Sequence, residues 1–201
     1  VKKFGDRLRW ISEPDEGQSD AINKGLRMAS GDITTYLNSD DYYLPHALER
    51  VGQYFSRHPE CQWLYGKCRI VDEAGLETRR FVTAYKNFFL RRYNFRTLLV
   101  LNYISQPATF WRRQVVKDVG FFNQTEHLAM DYDYWCRLGE RYPAGVIDEY
   151  LAAFRSYQKS KSGQGYREQF RRTHAIAARY TRSRSILALH WFHAKLITSV
   201  Y

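Results

Sequence analysis

Short apolar segments alternate with helical patterns along this chain, and that alternation most constrains its fold. A helix is predicted from a cap at Ser19 or Asp20 to a stop at Gly31. A short strand is predicted at residues 33–37, and a second helix at residues 44–58. Strands and helices in turn predict an α/β domain with a largely parallel sheet.

The same patterns predict further elements across the rest of the chain. Residues 63–71 and 78–82 are predicted to pair as a hairpin around the turn-forming residues 72–75. Other strands are expected at residues 7–12, 108–111, 145–147 and 151–157, and other helices at residues 88–100, 114–119 and 131–142. A Ser/Gly/Lys linker at residues 159–165 precedes one or two C-terminal helices.

The positive charge is concentrated at the C-terminal end. The formal net charge of the 201 residues is +10, yet from Arg155 onward ten basic residues face a single acidic one, Glu168. The other 154 residues hold 21 basic and 20 acidic side chains, so the part of the chain before Arg155 is nearly neutral. We therefore divide the chain into a body of residues 1–158 and a basic helical tail of residues 159–201.

The sequence of the tail allows two interpretations and a weaker third. Residues 185–201 are basic and rich in aromatic and aliphatic side chains, which is typical of a helix at a membrane surface. The alternative is a C-terminal helix packed against the body. The charge would also suit nucleic acid, but the body carries none of the usual nucleic-acid motifs, and no nucleic-acid partner is expected.

Composition limits the class of protein further. Hydrophobic residues make up 44% of the chain and aromatic residues 16%, which excludes a disordered chain. The three cysteines are odd in number and form no CxxC pair, so neither a disulfide framework nor a zinc site is indicated. No apolar run is long enough to cross a membrane. We expect a protein of a reducing, cytoplasmic compartment, with the inner face of the membrane as a possible location.

An acidic turn follows the predicted strand at residues 33–37. It reads Asn38-Ser39-Asp40-Asp41. In open α/β sheets, ligands bind at the carboxyl ends of strands, and adjacent carboxylates suit a hard divalent cation. The alternative is that Asp40 or Asp41 caps the helix that follows.

Several segments, taken in order, resemble the family 2 glycosyltransferases. They are residues 12–25 (SEPDEGQSDAINKG), 29–32 (ASGD), 37–41 (LNSDD), 105–113 (SQPATFWRR), 120–123 (GFFN) and 130–138 (MDYDYWCRL). The resemblance implies an inverting enzyme of the GT-A fold, a Rossmann-like mixed sheet flanked by helices. It also implies a nucleotide-diphospho-sugar donor and a glycan or lipid-linked acceptor, in the synthesis of cell-surface polysaccharides or glycoconjugates.

The resemblance assigns roles around the acidic turn. Residues 38–40 occupy the position of the family's Asp-x-Asp motif, with Asn38 replacing the first aspartate. Asp40 would be the contact for a divalent metal, Mg²⁺ or Mn²⁺, and for the diphosphate, with Asp41 beside it. Asn38 can still hydrogen-bond a ribose but contributes no charge to a metal. Three residues of the first predicted helix would serve the donor pocket: Asp20, Asn23 and Lys24.

Asp131 matches the position of the family's catalytic base. Inverting transfer needs a carboxylate that takes the proton of the acceptor hydroxyl. Asp133 has Arg137 four residues later on the same helix face, which is an ordinary structural pair. Asp131 has Trp135 at that spacing, so no ion pair accounts for it. The alternative for Asp131 is a favourable contact with the positive helix N-terminus.

Three further residues are predicted to lie on the acceptor side of the site. Gln106 and Pro107 either shape the acceptor pocket or end a loop, and the sequence leaves both possibilities open. Trp135 is assigned to the substrate because sugars stack on aromatic rings, with core packing as the alternative.

The resemblance also sets an expectation for the N-terminal side. The family's domain begins with β-α-β elements that hold the nucleotide, and Val1 corresponds to a point after them, so we expect a domain that lacks these elements. The predicted function is metal-assisted glycosyl transfer. The alternatives are a non-catalytic module that keeps the fold, and a binder of anionic surfaces acting through the tail.

Overall fold

A computed structural model describes residues 2–156 and 166–200. Its helices are α1 (Gln18–Met28), α2 (Ala47–Arg57), α3 (Arg80–Leu90), α4 (Phe95–Val100), α5 (Val116–Val119), α6 (Met130–Arg141), α7 (Tyr166–Tyr180) and α8 (Arg184–Val200). Its strands are β1 (Ile33–Thr34), β2 (Tyr42–Tyr43), β3 (Trp63–Val71), β4 (Thr109–Arg112) and β5 (Gly145–Arg155). Short 3₁₀ helices occupy Lys2–Arg7, Gln106–Ala108 and Arg113–Val115.

The five described strands form one mixed sheet in the order β1-β4-β3-β5-β2. Only the central pair, β3 and β5, is parallel among the described strands, and the other three pairings are antiparallel. The prediction of a largely parallel sheet is therefore wrong, because strand direction depends on tertiary pairing that a local pattern does not encode. The α/β class itself is confirmed.

Helices cover both faces of this sheet. On one face, Leu64, Phe110 and Leu151 pack with α2, which contributes Val51 and Phe55. On the other face, Trp63, Tyr65 and Trp111 pack with α4 and α6, and buried Ile176 and Ala177 add α7 to the same cluster. Consecutive residues of β3 and β4 point to opposite faces, so each strand contributes to both cores.

Several local predictions need correction. Residues 8–17 form no strand, and Leu8, Trp10 and Ile11 are exposed there. The second arm of the predicted hairpin is reduced to a single bridge between Val71 and Glu77, after which α3 begins. The helix predicted at residues 88–100 is two helices, α3 and α4. The two strands predicted near the end of the body are one strand, β5, whose register with β3 shifts after Gly66.

Candidate functional site

A cavity of about 570 Å³ opens at the edge of the sheet where β3 and β5 both end. Antiparallel β4 starts at the same edge, so the 3₁₀ turn before it also reaches the cavity. The walls come from the acidic turn at residues 38–40, the ends of β3 and β5, α3, the start of α6, and the two C-terminal helices. This is the position at which α/β sheets bind ligands.

Asn38 lies at the centre of a hydrogen-bond network in the acidic turn. Its Oδ1 accepts from Gln18 Nε2 at 2.9 Å. Its Nδ2 lies 3.1 Å from Asp41 Oδ2 and 3.3 Å from Gln106 Oε1. An amide donates to both oxygens, whereas an aspartate at this position would oppose the charge of Asp41. The asparagine in place of the family's first aspartate is thus accommodated by its neighbours.

Asp41 is buried and serves the fold. Its Oδ1 accepts from the backbone N–H of Arg155 at 2.8 Å, and its Oδ2 accepts from Asn38. Burial raises its pKa, although these two hydrogen bonds oppose that shift. Asp41 joins the turn to the end of β5 and does not line the cavity.

Asp40 lines the cavity and is partly exposed. Its backbone carbonyl accepts from Arg155 Nε at 3.0 Å, which fixes the backbone at this position. Within the described ranges, no cluster of three or more His, Cys, Asp or Glu side chains could hold a metal ion on its own. One carboxylate fits the way Mg²⁺ binds, through one or two carboxylates with substrate phosphates supplying further oxygens.

Asp131 lines the same cavity from the first turn of α6. Its Oδ1 accepts from the backbone N–H of Tyr132 at 2.8 Å. Burial raises the pKa of this carboxyl, while that hydrogen bond and the positive charge of Lys86 act in the opposite direction. A carboxylate with a raised pKa in a cavity is suited to accept a proton.

Lys86 is one of the cavity residues that sequence reasoning missed. Its Nζ donates to Ser105 Oγ at 3.1 Å, and burial lowers its pKa while the charge of Asp131 opposes that shift. The sequence prediction left Lys86 between a strand and a helix, outside any element. A helix predicted to begin at residue 80, where α3 begins, would have included Lys86.

Asp133 has the structural role that its spacing predicted. Its Oδ2 lies 3.0 Å from Arg137 Nη2, which confirms the predicted pair. Its Oδ1 lies 3.4 Å from Arg179 Nη1, and Arg179 also pairs with buried Glu126 at 2.6 Å. These contacts attach α7 to α6.

The three residues assigned to the donor pocket from α1 lie outside the cavity lining. Asn23 is buried and exchanges two hydrogen bonds of 2.9 Å with the backbone of Phe122. Lys24 Nζ pairs with Glu13 at 3.0 Å and with Asp20 at 3.2 Å. Asp20 also accepts from Gln124 Nε2 at 3.0 Å. All three connect α1 to neighbouring loops.

Of the acceptor-side residues, Gln106 and Pro107 line the cavity, and Trp135 does not. Gln106 donates to the carbonyl of Tyr36 and accepts from Asn38, so it braces the acidic turn. Trp135 is fully buried and stacks on Trp63, with ring centroids 6.1 Å apart. No face of its indole is open to a sugar here, so the geometry favours the packing alternative.

The last helix contributes to the cavity with its inner face. His190 Nδ1 lies 2.7 Å from the carbonyl of Leu99, and His193 Nε2 lies 2.6 Å from Tyr85 Oη. Both histidines line the cavity, and sequence reasoning had not selected them. The packing of α8 on the body agrees with the interpretation of the tail as a C-terminal helix packed against the body. No helix within residues 2–156 and 166–200 is long and apolar enough to span a membrane.

Comparison with known proteins gives a consistent result. The model of the family described as glycosyl transferase family 2 matches residues 1–120. An uncharacterized glycosyltransferase of Rickettsia conorii is 24% identical over 170 residues, covering 83% of this chain and 28% of that protein. A PGL/p-HBAD biosynthesis glycosyltransferase of Mycobacterium bovis is 26% identical over 140 residues, covering 65% of this chain and 47% of that protein.

A solved structure of Staphylococcus aureus TarS, residues 1–349 in complex with UDP-GlcNAc, shares the fold. The TM-score is 0.63 at 15% identity, and the match covers 91% of this chain and 53% of that one. The expected GT-A fold class is thereby confirmed. The chain spans about a quarter to a half of the length of the curated relatives it matches.

Proposed function

The chain belongs to glycosyl transferase family 2, and from that premise we propose that it transfers a sugar from a nucleotide-diphospho-sugar donor to an acceptor hydroxyl. One observation carries the proposal: Asp131 and the turn at residues 38–40 line one cavity at the ligand-binding edge of the sheet. A glycan or a lipid-linked glycan is the proposed acceptor. The name of the mycobacterial relative, with its reference to PGL/p-HBAD biosynthesis, supports a role in glycoconjugate synthesis.

The donor is proposed to bind at the acidic turn. Asn38, Asp40 and Gln106 present amide and carboxylate groups at that end of the cavity. The TarS structure with UDP-GlcNAc has the same fold, which supports a nucleotide sugar as the ligand class. Asp20, Asn23 and Lys24 act on the donor only indirectly in this proposal, by holding α1 and its preceding loop in place. Asp41 acts likewise through Asn38.

A divalent metal fits this proposal, with Asp40 as its protein ligand. Asp41 is already engaged by Arg155 and Asn38, so the diphosphate would provide further oxygens. When bound, such an ion offsets the negative charge that develops on the departing diphosphate. The chain's own contribution is to hold the Asp40 backbone through Arg155.

The transfer is proposed to invert the anomeric centre, and the carboxylates of the cavity support this proposal. Among the described residues, Asp40 and Asp131 are the only acidic side chains of its lining. With Asp40 at the donor, Asp131 remains to take the proton from the attacking hydroxyl in a single displacement. The hydroxyl oxygen forms the new bond to the anomeric carbon while the bond to the diphosphate oxygen breaks. The proton passes to Asp131.

Isothermal titration of the protein with a panel of nucleotide-diphospho sugars that includes UDP-GlcNAc tests the donor proposal. In the presence of Mn²⁺ we expect saturable binding by one donor. EDTA should weaken this binding at least tenfold, because without the metal the negative Asp40 carboxylate has no attraction for the diphosphate. Binding of equal strength with EDTA would contradict metal assistance. If none of the nucleotide-diphospho sugars binds, the donor proposal is contradicted.

A non-catalytic module with the same fold is the second candidate. The observation in its favour is that Asn38 and the engaged Asp41 leave a single carboxylate for a metal. The two candidates differ in turnover. An enzyme releases nucleoside diphosphate from the bound donor, whereas a module binds the donor and leaves it intact.

We further propose that residues 159–201 bring the body of residues 1–158 to a membrane surface. The outward face of α8 exposes four large apolar side chains, Leu189, Trp191, Phe192 and Leu196. Lys195 lies on the same face, with its Nζ 3.8 Å from the ring centroid of Trp191. Apolar side chains mixed with cations on one helix face are typical of interfacial helices. A lipid-linked acceptor would then lie near the cavity.

Sedimentation with vesicles tests this surface. Replacing Phe192 and Leu196 together by serine should lower binding to anionic phosphatidylglycerol vesicles about tenfold, because two exposed apolar side chains are lost. Leu76→Ser is the control, since Leu76 is also exposed but lies in the loop before α3. Equal loss in both variants, or no loss in the double variant, would contradict the proposal.

A further inference from the structure

One face of α3 forms a cationic wall of the cavity. Arg79 immediately precedes the helix, and Thr83 and Lys86 follow at positions four and seven residues later, so the three side chains share one face. All three line the cavity. The donor and base functions proposed above assign none of them a contact with substrate.

The buried hydroxyl of Thr83 is available to bind a ligand. The residue is 3% exposed, and its Oγ1 has no hydrogen-bond partner within the described residues. A buried hydroxyl without a partner costs free energy, and such groups in native proteins usually have a water, ion or ligand to satisfy them. Because Thr83 lines the cavity, a molecule in the cavity can supply that partner.

Lys86 adds a positive charge beside that hydroxyl. Within the described residues no carboxylate lies within 4.0 Å of its Nζ, and the hydrogen bond found for it goes to the neutral Ser105 hydroxyl. A partly buried ammonium without a counter-ion in contact favours an anion in the same cavity. Arg79 at the exposed end of the wall adds a second cation. Asn102 Oδ1, also buried without a partner, offers an acceptor for a hydroxyl.

We propose that this wall, formed by Arg79, Thr83 and Lys86, is a subsite for an anionic group of the acceptor. The anion is a phosphate or a carboxylate, carried by a molecule that also bears hydroxyl groups. The assignment to the acceptor rests on the proposed function, because it takes the turn at residues 38–40 as the donor end. The anion site itself does not depend on that function.

The test uses inorganic phosphate as the probe, followed by the line width of its ³¹P NMR signal. Lys86→Met should weaken phosphate binding about tenfold, since a charge-assisted hydrogen bond is lost, and Thr83→Val about fivefold. Lys117→Met is the matched control, because Lys117 is exposed on α5 and outside the cavity lining, and it should bind as the unaltered protein does. Far-ultraviolet circular dichroism verifies that each variant is folded. Binding unaffected by both Lys86→Met and Thr83→Val would overturn the site.

Two further arms identify the source of the anion. Phosphate binding that persists at saturating UDP and Mn²⁺ supports a separate acceptor subsite, whereas competition would assign the wall to the donor diphosphate and overturn the proposal. A titration with acetate distinguishes a carboxylate-bearing acceptor from a phosphate-bearing one. If UDP fails to bind while phosphate binds in a Lys86-dependent way, the proposed donor fails and the anion site stands.

Discussion

Replacing Asp131 by asparagine is expected to lower kcat by about 10²–10⁴-fold, the usual contribution of a general base. The isosteric amide keeps the size and the hydrogen bond to Tyr132 but cannot accept the proton of the acceptor hydroxyl. The dissociation constant of the donor should stay within about twofold, because Asp131 lies on α6 and not on the acidic turn. The measurement is release of nucleoside diphosphate under saturating donor, with titration of the same samples.

Asp118→Asn is the matched control for this experiment. Asp118 is exposed on α5, outside the cavity lining, and its carboxylate accepts from Tyr142 Oη at 2.8 Å, a bond that an amide oxygen can also accept. Its kcat should equal that of the unaltered protein. An Asp131→Asn protein with unchanged kcat would show that another group takes the proton.

Truncation of Trp135 to alanine is expected to destabilise the protein by about 3–5 kcal/mol. The indole is fully buried and packs between Trp63, at 6.1 Å between ring centroids, and Trp111, at 5.9 Å. Its removal leaves a cavity between the sheet and α6 that rigid neighbours cannot fill. Urea unfolding of the purified protein measures the loss.

Trp135→Phe separates packing from substrate stacking. The Nε1 of Trp135 is buried without a hydrogen-bond partner among the described residues, so phenylalanine removes a group that contributes no bond. We expect this variant to retain most of the stability and an unchanged KM for the acceptor. A normal stability with a KM raised tenfold or more would favour the alternative that sugars stack on this ring.

The parts of the site that the sequence predicted are those formed within a few residues of the chain. The turn at residues 38–41 follows β1 after three residues, and Asp131 lies in the first turn of α6, so short motifs that resemble those of the family were enough to select both. The Asp133–Arg137 pair is a spacing of four on one helix, and it was predicted for that reason. The pair depends on helical spacing, whereas the turn and Asp131 were selected by their resemblance to the family's motifs.

Contacts between distant segments are the parts of the site that the sequence did not predict. Asn23 and Asp41 were assigned to the donor, yet they bind backbone groups 99 and 114 residues away, at Phe122 and Arg155. A polar side chain next to a motif has the same appearance in the sequence whether it binds a ligand or a distant loop. Local spacing does not distinguish the two cases.

Secondary structure failed where packing overrides the pattern. Residues 7–12 alternate as a strand does, but none of the described strands pairs with them, and a strand without a partner leaves its backbone groups unsatisfied.

In α3 the hydrophobic pattern and the observed burial disagree. Phe81 and Phe88 are exposed there while polar Thr83 is buried, so hydrophobic periodicity pointed away from the true inner face. Lys86 and the cationic wall were hidden for the same reason.

Titration of the Asp40→Ala protein with the donor that the unaltered protein binds, in Mn²⁺, tests the central claim most directly. The claim is that the turn at residues 38–40 and Asp131 act on one nucleotide sugar in one cavity. We predict that Asp40→Ala loses the metal-dependent part of the affinity and, with it, the release of nucleoside diphosphate. Binding and turnover equal to those of the unaltered protein would contradict the claim.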